Sequence, residues 1–178
     1  HVFRVAGMTD TEPGPDGAIP NPAERYYRDG MADPLYIGAR IAKREAAPGV
    51  GVAMGGSYLT ARDLYRFTRA LRSHRLLKPA MTDTVVSGKV PLGPGIPAMY
   101  AFGFYDLDMG TPVRGHSGGG TGSGIDADVE MLWDSDYTVV VVGNYDTPAA
   151  RGVAQGMVQL ILRTVASGKG RPERPGSP

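Results

Sequence analysis

The chain contains no cysteine. Disulfide frameworks, thiolate metal sites and cysteine nucleophiles are therefore excluded. Histidine is scarce too, with only His1, His74 and His116. No apolar run approaches the roughly 18 residues that a membrane span needs. Neither charge is in excess: 19 Lys+Arg stand against 18 Asp+Glu. Nothing in that balance asks for nucleic acid or an anionic membrane as partner. The start, HVFRVAGMTD, has neither an initiator Met nor the apolar core of a signal peptide. The expectation is a chain that is processed, truncated or cut from a longer one. Glycine (26 residues) and proline (15) are abundant. Their combined share falls just short of the roughly 25–30% that marks low-complexity chains. The excess therefore implies many turns and close backbone approaches within a chain of 178 residues, the size of one domain.

Residues 1–57 read as irregular. Thr11–Pro22 is dense in Pro, Gly, Asp and Asn and reads as surface loop, and Pro48–Ser57 is a second glycine-rich stretch. A weak helix is expected around Ile37–Ala46. A stronger one begins at Thr60, whose side chain can accept from the amide of Asp63 in a capping-box-like start. Leu64, Phe67 and Leu71 form its apolar stripe. Arg62, Arg66, Arg69 and Arg72 are expected on a solvated face. Lys78–Gly88 predicts a short helix with Pro79 in its first turn.

From Tyr100 the period changes. YAFGFYDLD reads as one aromatic-rich strand, MGTP as a turn, and VRGHSG as a second strand. In GIDADVEMLW, Ile125, Ala127, Val129 and Met131 alternate with Asp126, Asp128 and Glu130. The acidic residues are expected on a solvated face rather than as metal ligands. DSD makes a tight turn into YTVVVVGN, whose four valines predict a central strand buried on both faces. The last helix is expected to be capped by Thr147, with Pro148 first and a stripe of Val153, Met157, Leu160, Ile161 and Val165. Residues 168–178 read as a disordered tail. Short turns force antiparallel neighbours. The expected class is α+β, an antiparallel β-sheet flanked by helices, with the last helix covering one face.

The string RGHSGGGTGSG (Arg114–Gly124) admits several readings. A phosphate-binding loop needs a Lys that is absent and a helix that does not follow. Gly115-His116-Ser117-Gly118-Gly119 satisfies the Gly-x-Ser-x-Gly nucleophile elbow. That elbow needs a following helix and a downstream histidine, and no histidine lies beyond Ser117. On an extended strand, His116 and Ser117 point to opposite faces. A plain reading is a glycine-rich strand end that lets chains pack closely.

The neighbourhood supplies a further reading. GMTDT (Gly7–Thr11), GGSYLTARDLYRFTRAL (Gly55–Leu71), YAFGF (Tyr100–Phe104), GHSGG (Gly115–Gly119) and VVVVGN (Val139–Asn144) stand in sequence. In this order and spacing they resemble the C-terminal half of the penicillin-recognising serine hydrolases. These are the class C β-lactamases, related esterases and D-alanyl-D-alanine peptidases. The resemblance implies that residues 1–167 are the C-terminal part of a β-lactamase/transpeptidase-like domain. It also implies that His116 helps to orient a substrate carboxylate or carbonyl. Ser117 would offer a substrate-binding hydroxyl, Gly118 an open strand surface, and the Gly119 amide one oxyanion-hole donor. No cofactor or metal is implied. Family members are often exported, which favours a secreted or periplasmic location.

The family's Ser-x-x-Lys and Tyr-x-Asn motifs occur nowhere in this chain. Both lie upstream of the GMTDT turn in the family. The resemblance therefore implies a missing N-terminal half, or a partner chain, that supplies the nucleophile and general base. The leading expectation is a serine-hydrolase fragment that is inactive alone and shaped for a small-molecule or peptide substrate. A non-catalytic binding or partner subunit of the same fold is the alternative. An independent hydrolase using Ser117 is the third reading.

Overall fold

The computed structural model describes residues 1–12, 21–28, 40–42 and 57–168. Three helices precede the main sheet: α1 (Val2–Ala6), α2 (Ala61–Arg72) and α3 (Pro79–Val86). A small sheet pairs β1 (Tyr26–Arg28) with β2 (Arg40–Ala42). The main sheet runs β3 (Val90–Pro91), β4 (Ala98–Tyr100), β5 (Tyr105–Asp108), β6 (Pro112–Gly119), β7 (Asp126–Leu132) and β8 (Tyr137–Gly143). These six strands lie in sequence order and every neighbouring pair is antiparallel. Helix α4 (Ala149–Ala166) closes the chain. The result is the expected antiparallel meander with helices on both faces.

Two apolar layers hold the sheet. On one face Leu71 of α2, Val86 of α3 and Phe104 pack with Val129 and Met131 of β7, with Leu64 and Phe67 against them. On the other, Val113, Leu132 and Val139 pack with Ala154 and Val158 of α4. Burying side chains such as Leu71, Val86 or Met131 contributes roughly 1.5–3 kcal/mol each. A smaller cluster of Ala6, Met8 and Ala70 seats α1 on α2.

Local chemistry explains the boundaries. Thr60 caps α2 as its sequence predicts, accepting from the Asp63 amide at 3.2 Å. Helix α3 starts at Pro79 and stops before Gly88, also as expected. Strands β7 and β8 join through a 3₁₀ turn (Trp133–Ser135) that ends at Asp136 in the left-handed conformation.

Several expectations are overturned. Arg40–Ala42 is strand, not helix, because it pairs with Tyr26–Arg28, a partner invisible in local periodicity. The rest of the expected 37–46 helix lies outside the described residues, as do most of 48–57 and 169–178. The stretch from Tyr100 is two strands, because Gly103 adopts a positive φ of 86° and turns the chain back. Arg66 and Arg72 are pinned rather than free on a solvated face: Arg66 bonds Asp63 and Thr9, and Arg72 bonds Asp136 and the Trp133 carbonyl. Among the described residues β8 ends the sheet instead of standing at its centre. Its helix-covered faces are as expected, with Val140 toward α2 and Val139 and Val141 toward α4.

Helix α4 departs most. Its buried stripe is Ala150, Ala154 and Val158. Ile161 packs beside them, whereas Val153, Met157, Leu160 and Val165 are exposed. Small alanines let the helix axis approach the sheet, so bulk and hydrophobicity misidentified the inner face. Thr147 does not cap it. Pro148 occupies the N-cap position, and the Asp126 carboxylate on β7 accepts from the Ala150 and Arg151 amides at 2.7 and 3.3 Å. That arrangement overturns a further expectation. Asp126, Asp128 and Glu130 are buried, at 3%, 1% and 6% exposure, because α4 covers their face.

Candidate functional site

Strand β6 carries the four residues singled out from sequence. Its first half is paired on both sides: β5 meets it from Pro112 to Gly115, and β7 follows its whole length. Beyond Gly115, β5 stops. Residues His116–Gly119 therefore have β7 on one edge and no strand on the other, among the described residues. Such an edge offers unpaired backbone groups to an extended ligand.

Side chains alternate across this segment. His116 stands opposite Val129 and Gly118 opposite Ala127, on the face toward α2. Ser117 stands opposite Asp128 and Gly119 opposite Asp126, on the face toward α4. His116, Gly118 and Gly119 are exposed and Ser117 is half-buried. A side chain at Gly118 would meet no atom within 4 Å, so this stretch of strand is open. Gly119 differs. Its φ is 157°, and a Cβ there would lie 2.8 Å from both Asp126 Oδ1 and the Ile125 carbonyl. Glycine at 119 is thus a requirement of packing against β7.

The nucleophile-elbow geometry is not assembled among the described residues. Ser117 leads along the strand into a loop held by Ser123, which accepts from the Gly120 amide at 3.1 Å, and no helix follows. His74 is engaged with Thr82 Oγ1 of α3 at 3.3 Å, on the opposite side of the sheet. His116 points away from Ser117 by strand alternation. Two cavities lie beside α4, and neither is lined by any residue from His116 to Gly119.

Sequence reasoning missed the anchor that joins two of its own motifs. Asp63, fully buried in α2, accepts at Oδ2 from the Asp10 amide (2.7 Å) and the Thr11 hydroxyl (2.8 Å). Its Oδ1 accepts from Arg66 at 2.9 Å, and Arg66 also donates to Thr9 at 3.1 Å. Burial alone would raise the Asp63 pKa, but the bonds from Thr11, the Asp10 amide and Arg66 outweigh it and hold the carboxyl below its ordinary value. The GMTDT turn is thereby docked onto α2. The signal was present: both motifs had been noted, and each contains hydrogen-bonding residues with no local partner.

A second acidic group lies behind β6. Glu130 Oε1 accepts from the Tyr105 hydroxyl at 2.7 Å. The Asp128 and Glu130 carboxyls are hydrogen-bonded to each other, Asp128 carrying the proton, and no other side chain donates to the Asp128 oxygens or to Glu130 Oε2. Burial, then the neighbouring Glu130, pushes Asp128 up to about 7. Burial likewise raises Glu130, and burial with Glu130 beside it raises Tyr105.

The Beta-lactamase family model matches residues 1–163. No curated protein matches the chain. A penicillin-binding protein from Bacillus halodurans superposes with a TM-score of 0.74 at 23% identity, over 89% of this chain and 47% of that one. An octameric penicillin-binding protein homologue from Pyrococcus abyssi gives 0.68 at 17% identity, over 96% and 37%. A D-amino acid amidase from Ochrobactrum anthropi SV3 gives 0.67 at 20% identity, over 94% and 49%. The chain spans half or less of each of these structures, and at such identities the likeness establishes the fold.

Proposed function

Because this chain belongs to the Beta-lactamase family, we propose that it is the C-terminal part of a serine hydrolase acting on β-lactams, D-peptides or simple esters. The single observation that carries the reading is the open edge of His116–Gly119 in a sheet of this fold. An acyl substrate lying along that edge would meet the Ser117 hydroxyl and the His116 ring and pass over Gly118. The Gly119 amide would donate to the oxyanion that forms as the carbonyl is attacked. Losing one such donor costs roughly 3–4 kcal/mol of transition-state stabilisation. His116 would orient the substrate's carboxylate or carbonyl.

The attacking serine and its base would come from the other half of the enzyme, since Ser-x-x-Lys and Tyr-x-Asn are absent from this chain. That half, or a partner chain, would also meet the outer edge of β8 and complete the sheet. The penicillin-binding proteins and the D-amino acid amidase among the similar folds support an acyl substrate of D-configuration or a β-lactam. The reaction would be acyl transfer through a serine ester. The absent motifs also favour a second reading, a non-catalytic binding subunit of the same fold.

The test is intact-mass analysis after treatment with a fluorophosphonate probe, with peptide mapping of any adduct. The chain alone is expected to remain unlabelled. Together with a chain bearing Ser-x-x-Lys it is expected to form an assembly in which that serine is labelled. Assembly without labelling would select the binding-subunit reading. A stoichiometric adduct on Ser117 would overturn both and make Ser117 the nucleophile.

A further inference from the structure

Strands β4 and β5 form a hairpin, with residues 101–104 as its tip between the paired Tyr100 and Tyr105. The tip has a fixed shape. Gly103 takes a positive φ of 86° at the reversal. The Ala101 amide donates to the Phe104 carbonyl at 2.7 Å, and the Phe102 amide donates to the Val85 carbonyl of α3 at 3.2 Å. What this tip presents is an apolar ring. Of the four phenylalanines, Phe3, Phe67 and Phe104 belong to the packed clusters, whereas Phe102 is 63% exposed. Single apolar side chains on a surface are ordinary. The place of this one in the sheet sets it apart.

Pairing of β5 with β6 ends at Tyr105↔Gly115. Continuing that antiparallel register by one residue sets Phe104 level with His116, and the turn follows at once. Strand β6 runs on for four more residues, roughly 13 Å of strand. The tip thus forms a step at the start of the open edge. Both features lie on one side of the sheet. Phe104 packs with Val129, the residue opposite His116. Val85, which holds the Phe102 amide, packs in the same cluster. Phe102 is therefore held where the open edge begins, on the side toward which His116 points. An extended ligand that pairs with β6 there lies alongside the step. The next residues on this face of β5 and β6, Asp106 and Arg114, pair with each other at 3.4 Å, which leaves a neutral group best suited to the place.

We propose that Phe102 is a specificity residue of this edge and selects substrates that carry an apolar, above all aromatic, group beside His116. The inference rests on the reading of His116–Gly119 as the substrate edge. Packing against Phe102 would remove apolar surface of both partners from water. An aromatic group would add the offset or edge-to-face attraction of two rings.

The test is an NMR titration of the chain with acetyl-D-phenylalanyl-D-alanine, compared with acetyl-D-alanyl-D-alanine, which lacks only the ring. Both should shift the amides of His116–Gly119, and the first should also shift the Phe102 ring. The aromatic peptide is expected to bind roughly two- to tenfold more tightly, the scale of one aromatic pair. In Phe102→Ala the two affinities should converge, and Phe102→Leu should keep part of the difference. Equal affinities in the parent chain, or a difference that survives in Phe102→Ala, would overturn the proposal and leave the substrate edge standing. Amides at His116–Gly119 that respond to neither peptide would overturn both. Phe102 belongs to none of the core clusters, so its replacement removes no core contact. The comparison of the two peptides needs no variant.

Discussion

Asp63 in α2 and Asp128 on β7 are both sealed from water, at 0% and 1% exposure. Their surroundings are opposite. Asp63 receives a backbone amide, a hydroxyl and a guanidinium, all within 2.9 Å. Asp128 receives no donor, and its only side-chain hydrogen bond is the one it shares with Glu130. Burial disfavours both carboxylates, and only at Asp63 do donors reverse the balance. One acid fastens the molecule together. The other keeps its proton and shares it with Glu130. A charged staple and a protonated acid pair can therefore share a residue type and a burial class, and the donors around each tell them apart.

The most severe way to break this contrast is to remove the satisfied acid. Asp63→Ala strips the acceptor from the Asp10 amide, the Thr11 hydroxyl and Arg66 in one step. The expected loss is roughly 3–5 kcal/mol in urea denaturation, the scale of breaking a buried ionic network. The Asp10 amide should lose its protection from hydrogen exchange at the same time. Asp63→Asn keeps one oxygen and should lose less. Because the folded carboxyl titrates below its ordinary value, its contribution is present above about 3.8 and fades as pH falls below it. A change under 1 kcal/mol in Asp63→Ala would mean that the turn is docked by α1 packing alone.

Asp128 should behave with the opposite sign. Its carboxyl titrates at about 7 in the folded chain against an ordinary 3.8. Between those values the folded state holds the proton more tightly than the unfolded state. Stability is then full below about 4 and is lost as pH rises toward 7. Asp128→Asn removes this dependence. Above pH 7 the variant should be more stable by roughly 2–4 kcal/mol, and at the acid end the two curves should converge. Chemical denaturation across that range measures both limbs. An asparagine variant that parallels the parent at every pH would show that Asp128 does not hold the extra proton in the folded chain.

The same contrast shows what could be read from the chain. The α+β class, the capped start of α2, the extent of α3 and the β6–β7–β8 order were legible because period, caps and short turns are local. The His116–Gly119 strand was legible through five ordered motifs. Its open edge was not, because the end of β5 at Tyr105↔Gly115 is a matter of pairing. The acidic face of β7 was misread as solvated because period two distinguishes two faces without saying which is covered. The inner stripe of α4 was misread because Ala150 and Ala154 contribute little to an apolar pattern, yet their size lets the helix descend onto those acids. The docking of GMTDT onto Asp63 was not legible because Asp10 and Thr11 lie more than fifty residues from it in the chain.

Asp126 stands between the two extremes and gives the smallest effect. It lies on the same face as Asp128, yet it is satisfied, by two amides at the start of α4. It therefore tests whether position on β7 or access to donors decides what a buried acid does. Asp126→Ala leaves the Ala150 and Arg151 amides without their acceptor, and the cost should be about 1–2 kcal/mol, as for a lost helix cap. Asp126→Asn retains an oxygen for the Ala150 amide and should cost about half of that, through the weaker neutral bond. The slope of stability with pH that Asp128 imposes should survive in both variants. If Asp126→Ala instead flattens that slope, the charge on Asp126 helps to hold the Asp128 proton, and the division between the capping acid and the acid pair on β7 fails.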